Sequence, residues 1–143
     1  MYYLLKTCSI AVFSLFLLSF QSNELGWNEY FQNDQVKIEV KTDACNNIKD
    51  GINNNYVFVR ISNKTAVDLK VSFSKELWYN ETCTSCNGGD EFKTVITLKA
   101  NETLEGTCDS KTKDLKIFHS MANGSKKVLT KFDLKNLTIQ ELK

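Results

Sequence analysis

"NYVFVRISNKTAVDLKVSF", residues 55–73, decides the fold. In its first part Val57, Val59 and Ile61 stand opposite Tyr56 and Phe58, so both faces of an extended segment are apolar and a central strand is predicted. After Asn63-Lys64-Thr65, a turn, the pattern changes. Val67, Leu69, Val71 and Phe73 now share one face while Asp68, Lys70 and Ser72 share the other, which is a strand with one wet side. A period of two on both sides of a short polar turn predicts sheet rather than helix.

The same period recurs outward in both directions. In "QVKIEVKT" (35–42) Val36, Ile38 and Val40 alternate with charged residues. "KELWY" (75–79) prolongs the strand that precedes it or starts an adjoining one. "EFKTVITL" (91–98) supplies Phe92, Ile96 and Leu98, and "DLKIFHS" (114–120) supplies Leu115 and Ile117. In "KVLTKFDLKNLTIQEL" (127–142) Phe132 and Leu134 are followed by Leu137 and Ile139, a change of parity near Lys135-Asn136 that predicts a bulge or a turn. "DACNNIKDGINNN" (43–55) reads as a turn-rich loop holding Cys45. "NELGWNEYFQND" (23–34) spaces Trp27, Tyr30 and Phe31 almost as a helix does but is too short and too poorly capped for one, so it is expected to be a lead-in that lays aromatics on the core. The expectation is an all-β domain over residues 35–143, an immunoglobulin-like antiparallel sandwich of seven to eight strands, with an eight-stranded β-barrel as the alternative. The Cys…Trp…Cys signature of antibody domains is missing, so that likeness is one of architecture.

Residues 1–22, "MYYLLKTCSIAVFSLFLLSFQS", place Lys6 ahead of an apolar run from Ile10 to Phe20, the layout of a secretory signal peptide and its helix. The run is shorter than the roughly 20 residues a spanning helix needs, so cleavage and no stable membrane insertion are expected. Removing it takes away one lysine and no acidic residue, which brings the formal charge of +1 to zero. A neutral chain carries no net field toward nucleic acid or anionic membranes. Arg60 is the only arginine among 18 basic residues, there is no proline, and Asn is abundant, a composition that follows from AT-rich codons.

Four cysteines remain beyond the signal: Cys45, Cys83, Cys86 and Cys108. An even number in an exported chain points to disulfides, and the three possible pairings stay open. A redox role for Cys83-Thr84-Ser85-Cys86 needs a helix N-terminus to lower a thiol pKa. The following Asn-Gly-Gly-Asp-Glu makes a loop instead, and its acids act in the opposite sense. A thiolate zinc site needs two close pairs, and this chain has one. The cysteines are therefore expected to be structural staples, with no metal and no cofactor.

Trp78 and Tyr79 run into the CxxC loop and suggest a platform for a sugar ring or a partner's side chain. The competing reading sends Tyr79 into the core and leaves Trp78 over a sheet edge. His119 is the sole histidine and has no nucleophile elbow to serve. Asp90-Glu91 beside Asn87-Gly88-Gly89 lacks the spacing of a calcium loop. Sequons at Asn63, Asn80, Asn101, Asn123 and Asn136 would be glycosylated only in a eukaryotic host, and all are expected in turns.

"NKTAVDLKVSFSKELWYNETCTSC", then "VITLKANETLEGTC" and "LKIF", resembles small exported proteins of AT-rich Gram-negative bacteria, which carry the same Asn-Lys-Thr turn, CxxC loop and late Cys. The resemblance implies a periplasmic or secreted sandwich and no particular reaction. The rhythm of turns also resembles immunoglobulin-like proteinase-inhibitor domains, with Ala100-Asn101 where that family has Pro-Gly. The expected function is a non-enzymatic binding or structural module with a protein or carbohydrate partner. Its alternatives are an inhibitor-like or carbohydrate-binding module using Trp78 and Tyr79, and a thiol–disulfide redox protein using Cys83 and Cys86.

Overall fold

The computed structural model describes residues 26–47, 52–109, 113–124 and 126–143. The expected signal segment 1–22 lies outside them. Nine strands are present among the described residues: β1 (Asn28–Gln32), β2 (Val36–Asn47), β3 (Ile52–Asn63), β4 (Leu69–Tyr79), β5 (Thr82–Cys83), β6 (Lys93–Leu98), β7 (Thr103–Glu105), β8 (Lys116–Met121) and β9 (Leu129–Glu141). Two single 3-10 turns, Asp90–Phe92 and Lys113–Leu115, are the helical pieces among those residues.

The strands form two separate antiparallel sheets rather than a closed barrel. In sheet A, β1, β2 and β3 lie side by side, and β7 and β8 share the far edge of β3. In sheet B, β9 pairs along the whole of β4 on one side, while β5 and β6 divide the other. The chain crosses between sheets from β3 to β4, from β6 to β7 and from β8 to β9. Ile38, Val59 and Ile61 of sheet A meet Leu69, Val71, Phe73 and Leu98 of sheet B, each at most 1% exposed. Alternation places these residues in one layer, and burying that layer holds the sheets together.

β3 is covered on both sides, as its doubly apolar pattern predicts. Its outward Phe58 joins Trp27 and Cys45 in a second buried cluster on the outer face of sheet A. There the Arg60 guanidinium lies 4.5 Å from the centre of the Trp27 ring and the Lys41 ammonium 5.0 Å away. Glu39, only 8% exposed, accepts from both Lys37 (2.7 Å) and Arg60 (2.9 Å).

Two expectations about elements change, and a third, the bulge in β9, holds. The lead-in is an edge strand: β1 pairs with β2 from Asn28↔Val40 to Gln32↔Lys37, so the sandwich begins before residue 35. Tyr30 stacks on Phe132 of β9 with ring centres 5.6 Å apart, and its hydroxyl accepts from the Leu134 amide (2.9 Å), closing one side of the sandwich. The segment around Cys45 is strand as well, since β2 and β3 remain paired out to Asn47↔Ile52. The parity change in β9 is a bulge at Asn136, whose φ is 54°.

Candidate functional site

The CxxC segment is shaped by a tight hairpin. Tyr79 pairs with Thr82 and Trp78 with Cys83. Asn80 (φ 48°) and Glu81 (φ 65°) form the two-residue turn, both left-handed as a type I′ turn requires. Beyond β5 the chain stays on the edge of β4. The Thr84 amide donates to the Leu77 carbonyl (2.8 Å), and the Leu77 amide donates to Ser85 Oγ (2.8 Å), which itself donates to the Lys75 carbonyl (2.9 Å). The buried Ser85 hydroxyl thus replaces a backbone partner. The ring of Phe92 lies so close over Gly88 that a Cβ there would strike it.

Cys83 is bonded to Cys86 within this loop, and Cys45 to Cys108 across the outer face of sheet A, with Cα separations of 5.7 and 5.5 Å. No helix starts at the CxxC, so the dipole that would stabilise a thiolate is missing there. Among the described residues no group of three or more His, Cys, Asp or Glu side chains is gathered to hold a metal.

Trp78 and Tyr79 do not form a joint platform, because successive strand residues face opposite ways. Tyr79 is 8% exposed, its hydroxyl donates to the Phe118 carbonyl (2.8 Å), and burial pushes its pKa up. Trp78 lies on the outer face of sheet B with the Lys131 ammonium 4.3 Å from its ring centre. His119 contacts Ser120 Oγ through Nδ1 (2.9 Å), and Ser120 Oγ accepts from Asn55 (3.1 Å), a chain of contacts that no carboxylate joins among the described residues. Lys75 points inward from β4. Its ammonium is held below its usual pKa by burial, and it donates to the Asp114 carbonyl (3.2 Å).

The concavity on the outer face of sheet B lies between β4 and β9, where the Asn136 bulge interrupts their pairing between Ser72 and Ser74. It encloses about 330 Å³ and is lined by Ser72, Phe73, Ser74, Asp90, Lys93, Asn136 and Thr138. The Phe73 ring is in the core, so only backbone reaches the cleft at that residue. Hydroxyls, an amide, a carboxylate and an ammonium supply both donors and acceptors, and the two charges cancel. Ser72 Oγ and Thr138 Oγ1 are already hydrogen-bonded to each other at 2.6 Å. Trp78 lies on the same face of β4, about 13 Å along the strand from Ser74. Of these groups, sequence reasoning singled out Asp90, Asn136 and Trp78 for other reasons. The parity break in β9 opposite two serines was the available signal for the rest.

The sequons are not alike. Asn80, Asn101 and Asn123 lie in exposed turns, Asn136 in the exposed bulge, and Asn63 at the buried end of β3, 3% exposed. No known protein family, curated protein or solved structure matches the chain.

Proposed function

We propose that this protein is an exported, non-enzymatic binding module, periplasmic or secreted, that holds a neutral carbohydrate on the outer face of sheet B. The polar cleft at the Asn136 bulge carries the reading. Its volume is at the small end of ligand sites, and its balanced charges favour a ligand without net charge. A polyhydroxyl ligand offers donors and acceptors to every side chain in the lining, and Trp78 on the same face supplies a ring for stacking after Lys131 swings aside. Displacing an exposed cation from a ring costs only about 0.5–1 kcal/mol. The two disulfides support the oxidising compartment. No helix among the described residues is long and apolar enough to cross a membrane. The return of β8 beside β3 and of β9 beside β4 supports an immunoglobulin-like connectivity.

The test is calorimetric titration with a panel of neutral gluco-, manno- and chito-oligosaccharides. Binding by one class, lowered at least tenfold by Ser74→Ala or Asn136→Gly and less by Trp78→Ala, is expected. Absence of heat with every member of the panel overturns the carbohydrate assignment. The redox alternative, using Cys83 and Cys86, is separated by alkylation at acidic pH: a staple stays unlabelled, whereas a redox pair yields a labelled dithiol after mild reduction.

A further inference from the structure

We infer that β6 is a self-association edge through which two copies of this chain join their B sheets about a twofold axis. Each of the other edge strands is blunted. β5 has two residues and β7 has three. β1 and β8 carry register shifts against their neighbours. β9 is broken by the Asn136 bulge, and its Leu134 amide is taken by the Tyr30 hydroxyl. Such devices stop sheets from pairing edge to edge. β6 has none of them: six residues, "KTVITL", pair with β4 from Leu98↔Leu69 to Lys93↔Ser74 without a shift. Its outer edge pairs with no strand among the described residues.

The sequence of β6 fits a second copy of itself. Lys93, Val95 and Thr97 face outward, and Val95 is 48% exposed at the middle of the strand. An antiparallel pair must keep outer face with outer face, because a one-residue slip would turn core residues into solvent. Centring the axis on Val95 sets it against Val95 of the second copy and sets Lys93 against Thr97 of the second copy. A β-branched pair is a favourable cross-strand contact, and no like charges are opposed. Moving the register by two residues in the direction that centres it on Ile96 would place Lys93 against Lys99. The joined sheet would run β9-β4-β6 and then the same three strands reversed, with both polar clefts on one continuous surface. Each cleft would then raise the effective concentration of ligand for the other. Edge pairing alone buries little area, so the association belongs to the weak, transient class.

Sedimentation equilibrium of the oxidised, mature protein across about two decades of concentration tests this. A monomer–dimer equilibrium is expected, weakened at least tenfold by Val95→Lys, whose circular dichroism and melting temperature should match the parent because residue 95 faces solvent. In a second measurement, Val95→Cys should cross-link to itself under mild oxidation far faster than a control cysteine at Val67, which is comparably exposed but off the edge. A protein that stays monomeric throughout, a dimer indifferent to Val95→Lys, or equal cross-linking at 95 and 67 overturns the inference. Heteromeric capture of an extended peptide on β6 with no self-association would also count against it.

Discussion

Asn63 uses every atom of its amide. Nδ2 donates to the carbonyls of Val67 (2.7 Å) and Lys99 (2.8 Å), while Oδ1 accepts from the amide and the hydroxyl of Thr65 (2.9 and 2.8 Å). The corner from β3 into β4 is therefore tied to the β6–β7 turn through one side chain. Asn63→Asp would aim carboxylate oxygens at two carbonyls in a buried place, and a loss of about 3 kcal/mol is expected in denaturant unfolding. An unchanged midpoint would mean that the corner bears no such load. Asn33 and Asn80 do comparable work, accepting from Val36 (2.8 Å) and Val128 (3.0 Å). Composition reads this Asn content as codon bias, because a tally of residues does not tell an Asn that closes a corner from one that merely faces solvent. Glu39 is a second residue whose partners the sequence hides. Burial alone would raise its pKa, but hydrogen bonds and charge from Lys37 and Arg60 outweigh burial and hold the carboxyl below its ordinary value. A lowered folded pKa means stability that is fully present above the unfolded value of about 4.3 and is lost as pH falls through the folded one. Unfolding free energy should decline through that acid window, and less so in Glu39→Gln.

Among the elements, β2, β3, β4 and the bulge of β9 were legible because one apolar row alternates with a polar or differently packed one. β1 was not, because a bulge at Tyr30, between Glu29 and Phe31, destroys the period. The outer half of the β2–β3 hairpin was hidden by its Asn and Asp residues, which favour turns locally but are held extended by cross-strand pairing, with Cys45 opposite Asn54. Which cysteines pair could not be read, since the pairing depends on which sheet face carries each one. The two bonds differ in reach, with sequence separations of 63 and 3. By loop entropy, replacing Cys45 and Cys108 together with serine should cost about 4 kcal/mol, and replacing Cys83 and Cys86 about 2 kcal/mol. Equal costs in denaturant melts would contradict the loop-length account. The β4–β5 turn offers the opposite test. Glu81 pays for a left-handed φ of 65°, so Glu81→Gly should raise stability by about 0.5–1 kcal/mol.

For the whole molecule, the two-layer architecture follows from strands that each bury one row, and the all-β sandwich was legible at that level. The cleft was not, because its lining comes from β4, β6, β9 and a 3-10 turn that only the finished fold brings together. Sheets whose partners are distant in sequence, such as β4 with β9, fold slowly through loop closure, on a scale of milliseconds to seconds. With no proline in the chain there is no prolyl bond to isomerise. Refolding of the oxidised protein, followed by Trp fluorescence, should therefore lack the phase of tens to hundreds of seconds that such bonds cause, and the appearance of that phase would point to another trap. The Asn63 corner has a practical consequence for production. In a host that glycosylates nascent chains, the Asn-Lys-Thr acceptor is presented before the corner closes, and a sugar on Nδ2 has no space once it does. Attachment and folding are then in a race, and each molecule that loses it is held open for quality control. A non-glycosylating host separates yield from that race.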